Sequence, residues 1–207
     1  RMKERYGWEI DQDLVLNVTG TVQGMFVAMV GLSEPGDGVL IQTPIYPPFL
    51  ATVEQTGRRL VENPLRDTGS GFVLDIEGMR RAADEGTKVI LFCNPHNPIG
   101  RVWERDEMLA LSEVVEKHGV KVFSDEIHGP LVYPGFKHVP YASISEAAAN
   151  HTVTSTSASK AWNLAGLKAA QMIFSNETDY TLWNEKHKWA EHGASTFGIA
   201  ANAAAYR

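Results

Sequence analysis

The chain has 207 residues, with 19 Lys plus Arg against 25 Asp plus Glu, a formal charge of −6, and 43% hydrophobic and 21% charged residues. That is ordinary globular composition, long enough for one large domain or two small ones around a substantial core. Mild acidity argues against a nucleic-acid partner, which needs a clustered basic face. No apolar run approaches the roughly 18 residues of a membrane span.

Strands and helices alternate along the chain. Val22, Met25, Phe26, Met29 and Val30 recur at helical spacing behind Thr19-Gly20-Thr21, which predicts an amphipathic helix with that triplet at its N-terminus. Residues 34–38, Glu-Pro-Gly-Asp-Gly, are a turn. A short apolar strand at residues 39–42 precedes a rigid Pro-rich loop at 44–48, and residues 49–55 read as a helix closed by Gly57. Leu60 and Val61 suggest a further strand, residues 67–71 a polar loop, and Asp75 a cap for a helix burying Ile76, Met79 and Ala83. Residues 89–93 form a continuous apolar run, as in a strand covered on both faces. A helix marked by Met108, Leu111, Val114 and Val115 ends at Gly119. Strands at 120–123, 153–156 and 171–174 follow, then one long helix over 180–191. The alternation predicts an α/β fold, a three-layer sandwich of helices about a mainly parallel sheet.

In open α/β sheets, ligands bind outside the carboxyl ends of the strands. Tyr46, Asn97, Asp125 and Lys160 each lie just beyond such an end, which suggests one shared pocket. Alone, each has an ordinary reading: a solvated lysine, a polar strand terminus, a loop aromatic, a turn asparagine. Together they have a chemical one. A pocket lysine can lose its proton and form a Schiff base. A carboxylate ending an apolar strand needs a partner, such as a cationic ring nitrogen. Thr19-Gly20-Thr21 before a helix can offer N–H groups and a hydroxyl to a phosphate. Tyr46 can stack on a flat ring, and Asn97 can donate to a phenolic oxygen. The set describes a receptor for a phosphorylated aromatic aldehyde, pyridoxal 5′-phosphate (PLP).

The segments Asn94-Pro95-His96-Asn97-Pro98-Ile99-Gly100-Arg101-Val102-Trp103, Ser124-Asp125-Glu126-Ile127-His128 and Ser159-Lys160-Ala161-Trp162-Asn163-Leu164-Ala165-Gly166-Leu167 resemble the signatures of fold-type I PLP enzymes. Their order agrees, as do the intervals of 28 residues from Asn97 to Asp125 and 35 from Asp125 to Lys160. Within that superfamily the chain looks like the cystathionine β-lyase (MalY/PatB) type of carbon–sulfur lyase, with His128 in Asp-Glu-Ile-His as the pointer. The resemblance implies that Lys160 carries the cofactor and moves the substrate proton, and that Asp125 keeps the ring nitrogen protonated. It implies that Asn97 binds the phenolic oxygen, that Tyr46 stacks on the ring and that His128 stands beside the cofactor. Gly20 and Thr21 would bind phosphate with Ser157 and Ser159, and Lys168 stands where many relatives place a phosphate-binding Arg. It further implies a small-molecule amino-acid substrate and a homodimer. An aminotransferase on the same scaffold is the alternative activity, and a regulator that only senses PLP a third; nothing in the chain suggests the DNA-binding module a regulator would need.

Other signals are weaker. Seven histidines show no close ligand pair with a third partner, so no metal is expected. The lone cysteine, Cys93, excludes an intrachain disulfide, reads as a buried strand residue, and fits a reducing, cytoplasmic compartment. The chain opens Arg1-Met2-Lys3-Glu4-Arg5 with no apolar signal region behind it. The Ala-rich residues 199–206 read as a helix with no Gly or Pro to stop it. The expectation is therefore a large PLP-binding domain over residues 1–207, a piece lacking an N-terminal arm and a small C-terminal domain that would hold the carboxylate-gripping arginine.

Overall fold

The computed structural model describes residues 2–207. An edge strand, β1 (Val15–Val18), leads through Thr19 and Gly20 into α1 (Thr21–Leu32). Next come β2 (Gly38–Ile41), α2 (Pro47–Gln55), β3 (Arg59–Glu62) and a small hairpin of β4 (Arg66–Asp67) and β5 (Phe72–Val73). Then follow α3 (Ile76–Asp84), β6 (Thr87–Cys93), α4 (Arg105–His118), β7 (Lys121–Asp125), α5 (Glu146–Asn150) and β8 (Thr152–Thr156). β9 (Ala170–Phe174), α6 (Glu177–His187) and α7 (Thr196–Ala205) complete the described chain.

Seven strands form one sheet in the order β1-β9-β8-β7-β6-β2-β3. The neighbours from β3 through β8 pair in parallel, and β9 runs antiparallel to both β8 and β1. The fold is thus the expected α/β sandwich with a mainly parallel sheet. The central strands are apolar on both faces because helices cover both. Side chains alternate between two cores. Val39, Ile41, Val89, Leu91, Cys93, Phe123 and Val153 face α1 and α2. Leu40, Ile90, Phe92 and Val122 face the layer of α3 and α4 with Met79, Met108, Leu111 and Tyr141. By that alternation Asp125 belongs to the α1 side of β7, and Ser124 to the other.

The structure corrects several expectations. On α1, Met25 and Met29 are buried, but Val22, Phe26 and Val30 are exposed, and Gly24, Val27 and Ala28 are buried instead. This helix is apolar nearly all round, so periodicity could not choose its face; small residues do. A Cβ on Gly24 would stand 2.5 Å from Met172 Sδ, so the helix lies close on β9 only with glycine there. Pro47 and Pro48 are the first residues of α2 rather than loop, where their missing N–H groups lose nothing. Asp75 precedes α3 but makes no cap bond; its carboxylate lies 3.9 Å from both Arg66 and Arg81. The long helix over 180–191 is α6 followed by a 3-10 turn, Lys188–Glu191, and Asn176 caps it by accepting from Asp179 N–H at 2.8 Å. Sequence reading did not foresee β1, β4 or β5.

The loop after β6 is pinned from several sides. Trp103, 1% exposed, donates from Nε1 to the Cys93 carbonyl at 2.9 Å and packs on Phe92 and His96. His96 donates from Nε2 to the Pro44 carbonyl at 2.8 Å, tying this loop to the one after β2. Glu107 accepts from both Arg101 Nη2 at 2.8 Å and Glu104 N–H at 2.9 Å, fixing the loop to the first turn of α4. At the other end of that helix Gly119 takes the left-handed conformation, φ 63°, that a following buried strand requires. Trp103→Phe keeps an aromatic ring but loses both the Nε1 donor to a buried carbonyl and part of the ring volume, so it should lower stability by at least about 1–3 kcal/mol. Denaturant unfolding should show this as a lower midpoint with an unchanged slope.

Candidate active site

Five strand ends converge on one cavity. It has a volume of about 70 Å³ and is lined by Thr21, Val22, Tyr46, Phe49, Cys93, Asn97, Asp125, Ile127, His128 and Lys160. The chain positions each functional group through a local device. Thr21 opens α1 after β1. Tyr46 is the residue before α2, after β2. Asn97 sits in the Trp103-pinned loop, its N–H directed at Cys93 Sγ at 3.5 Å. Asp125 is the last residue of β7, and Lys160 lies in the turn that follows β8. That turn is closed by Trp162 N–H to the Ala158 carbonyl at 3.1 Å and Leu164 N–H to the Ser159 carbonyl at 3.0 Å.

Six of the predicted residues therefore meet: Thr21, Tyr46, Asn97, Asp125, His128 and Lys160. Gly20, Ser157, Ser159 and Lys168 lie outside the lining. Gly20 caps α1 without a side-chain bond, and no other atom stands within 4 Å of where its Cβ would be. Ser157 is buried, and its hydroxyl donates to the Ala169 carbonyl at 2.7 Å while accepting Ser159 N–H at 3.1 Å. Lys168 is exposed at φ 50°, and its carbonyl accepts Ser195 N–H at 3.1 Å. Val22, Phe49, Cys93 and Ile127 line the cavity without having been singled out for it. Cys93 was recoverable from the strand-end rule, as the last residue of β6; the other three carry no chemical signal.

Electrostatics concentrate on Asp125. The carboxylate is buried, and burial pushes its pKa up to about 6. The Ile127 N–H, which donates to Oδ1 at 3.1 Å, and a hydrogen bond from Thr21 act the other way, as does the charge of Lys160. Glu126 adds repulsion. His128 is held below the ordinary imidazole value by burial and by the Lys160 charge, so it is neutral near pH 7. Burial also raises the Cys93 thiol, which is therefore no thiolate at neutral pH. At the start of α1, Thr19 N–H donates to Gln23 Oε1 at 2.9 Å, but no side chain caps the first helical N–H groups. They lie beside Gly20, where an anion would be favoured.

A mainly parallel sheet that gathers a lysine, an aspartate, an asparagine and a tyrosine at its strand ends has the fold-type I architecture. The chain belongs to the class I and II aminotransferase family, whose model matches residues 1–206. It is 36% identical over 207 residues to cystathionine beta-lyase PatB of Bacillus subtilis, covering 99% of this chain and 54% of that enzyme. The crystal structure of cystalysin from Treponema denticola, which contains a pyridoxal 5′-phosphate cofactor, superposes with a TM-score of 0.93 at 34% identity, covering 97% of this chain and 52% of that one. N-Succinyldiaminopimelate aminotransferase from Mycobacterium tuberculosis gives 0.89 at 30% identity, covering 99% and 53%. The chain thus spans about half the length of the curated relatives it matches. Among the described residues no cluster of three or more His, Cys, Asp or Glu could hold a metal ion, and no helix is long and apolar enough to cross a membrane.

The buried aspartate gives a signed prediction for the protein without ligand. Its pKa is raised from 3.8 to about 6, so the folded state binds that proton more tightly than the unfolded chain. The contribution to stability is full below the ordinary value and lost as pH rises through about 6. Asp125→Asn keeps the acceptor for Ile127 N–H and removes the ionisation. At about pH 8 the ligand-free variant should be more stable than the parent by on the order of 2–3 kcal/mol, and at about pH 4 the two should coincide. Thermal melts at the two pH values measure the difference.

Proposed function

We propose that this chain is the large, cofactor-binding domain of a PLP-dependent carbon–sulfur β-lyase. The proposed substrates are cystathionine or related cysteine S-conjugates, and water is consumed to give a thiol, pyruvate and ammonia. The observation that carries the reading is the single cavity holding Lys160, Asp125, Asn97, Tyr46, His128 and Thr21. The donor set fits PLP group by group: an uncapped helix start beside open space for the phosphate, a buried carboxylate for the ring nitrogen, an amide for the phenolic oxygen, an aromatic face and a lysine. The names of the relatives supply the lyase branch; the geometry alone serves an aminotransferase equally.

When bound, PLP supplies an electron sink that lets a Cα proton and then a β-substituent leave. The chain's own groups do the rest. Thr21 and the first N–H groups of α1 hold the phosphate at Gly20. Ser159, in the turn that carries Lys160, and Lys168 would extend that site outward, and Ser157 would brace it from behind by accepting Ser159 N–H at 3.1 Å. Asp125, ionised above about pH 6, holds a proton at the ring nitrogen. A hydrogen bond to a charged group in a dry site is worth about 1.5–3 kcal/mol. Tyr46 stacks on the ring face, and Asn97 donates to the phenolic oxygen. Lys160 Nζ takes the proton from the substrate Cα. Neutral His128, beside Lys160, keeps a second positive charge out of the cavity.

The whole enzyme is read as a cytoplasmic homodimer. The homodimer reading is supported by the apolar stripe Val22, Phe26 and Val30 that α1 exposes, together with exposed Trp189 and Phe197, which a second subunit would cover; the compartment reading is supported by the lone, unbridged Cys93. The reaction is tested on the full-length protein with cystathionine and no keto acid. Many turnovers releasing pyruvate, ammonia and thiol are expected. A single stoichiometric conversion that resumes on adding 2-oxoglutarate or pyruvate would assign the aminotransferase reaction instead.

A further inference from the structure

We propose that Glu126 and His138 are positioning residues that hold Asp125 and His128 against the cofactor, an inference that rests on the PLP reading above. Strand alternation sends Asp125 to the α1 side of β7 and Ser124 and Glu126 to the opposite side. There the Glu126 carboxylate is buried and saturated. Its Oε1 accepts from the Ser124 hydroxyl at 2.9 Å and from Tyr141 N–H at 2.8 Å, and its Oε2 takes His138 Nε2 at 2.9 Å. His138 and Glu126 are 2% and 4% exposed, so the pair is sealed from water.

The contact reaches the turn that carries His128. The Glu126 carbonyl accepts Gly129 N–H at 2.9 Å, closing the turn over Ile127 and His128. A Cβ on Gly129 would stand 2.8 Å from His138 Cδ2, so the turn rests on the imidazole with no room between. The Tyr6 ring lies edge-on to the imidazole at 5.1 Å. The segment from 126 to 141 is thus a loop whose two ends meet on one carboxylate. A buried acid that accepts three bonds holds its neighbours firmly, because leaving any of the three donors unpaired is expensive. One residue earlier on the opposite face is Asp125, and two residues later is His128, both in the cavity.

The test compares Glu126→Ala, Glu126→Gln and His138→Ala in the full-length protein. Three readouts are used: the PLP dissociation constant, the induced circular dichroism of the bound cofactor, and the melting temperature of the PLP-free forms. Glu126→Ala should weaken PLP binding about tenfold and reduce the induced band. Glu126→Gln, whose amide keeps the acceptor for Ser124 and Tyr141, should stay within about threefold of the parent and restore the band. His138→Ala, losing one bond of three, should fall between them. Lower melting temperatures with unchanged affinity and band would mean the pair only stabilises the fold, and would overturn the inference while leaving the functional reading intact. Failure of both alanine variants to fold would assign the pair to stability alone and overturn it equally. A parent protein that binds no PLP would overturn the functional reading and this inference together.

Discussion

A carboxylate buried at the end of a central strand is an expensive thing to build, and the arrangement of this protein follows from accommodating one. Asp125 closes β7 with strands on both sides and is 4% exposed. Burial drives its pKa up, and the Ile127 N–H, Thr21 and the Lys160 charge only partly offset that. A group kept in such a place against its solvation needs a cationic partner. The residues around the cavity describe the shape of that partner, and Lys160 supplies a charge at one wall without forming a salt bridge with Asp125.

The fold delivers these groups by repeating one device. Each of β1, β2, β6, β7 and β8 ends at the same edge of the sheet, and a residue at that end, or a few positions beyond it in the following loop or turn, lines the cavity. Rigidity comes from beneath: Trp103 and His96 brace the Asn97 loop, and Gly24 lets α1 lie close enough on β9 for its first turn to reach the cavity. On the far face of β7 the Glu126 cluster anchors the next turn. The cavity is thus bounded by backbone held from behind, which is what precise placement of a flat ring demands.

Much of this was legible in the amino-acid order. Uninterrupted apolar runs marked β6 and β7, because strands covered on both faces have no polar alternation, and the strand-end rule placed Tyr46, Asn97, Asp125 and Lys160 in one pocket. What escaped had physical reasons. The face of α1 was misjudged because an all-apolar helix has no periodic signal, and its small residues decided the docking. β1 was missed because a four-residue antiparallel edge strand containing Asn17 has little pattern to read. The Asp75 cap was expected from residue type, but two arginines compete for its carboxylate. Glu126 and His138 were invisible as a pair, since contacts 12 residues apart through a loop leave no local spacing. Ser157 and Ser159 read as hydroxyls near the lysine, and in the structure the Ser157 hydroxyl is taken up by backbone: it donates to the Ala169 carbonyl, just before β9, and accepts Ser159 N–H within the turn.

The central claim is that the cavity at the strand ends binds PLP through Lys160. The most direct measurement is borohydride reduction of the full-length protein after loading with PLP, followed by peptide mapping. The account predicts the pyridoxyl label on Lys160, in the turn after β8. Label on Lys168 or on any other lysine, with Lys160 unmodified, would contradict it.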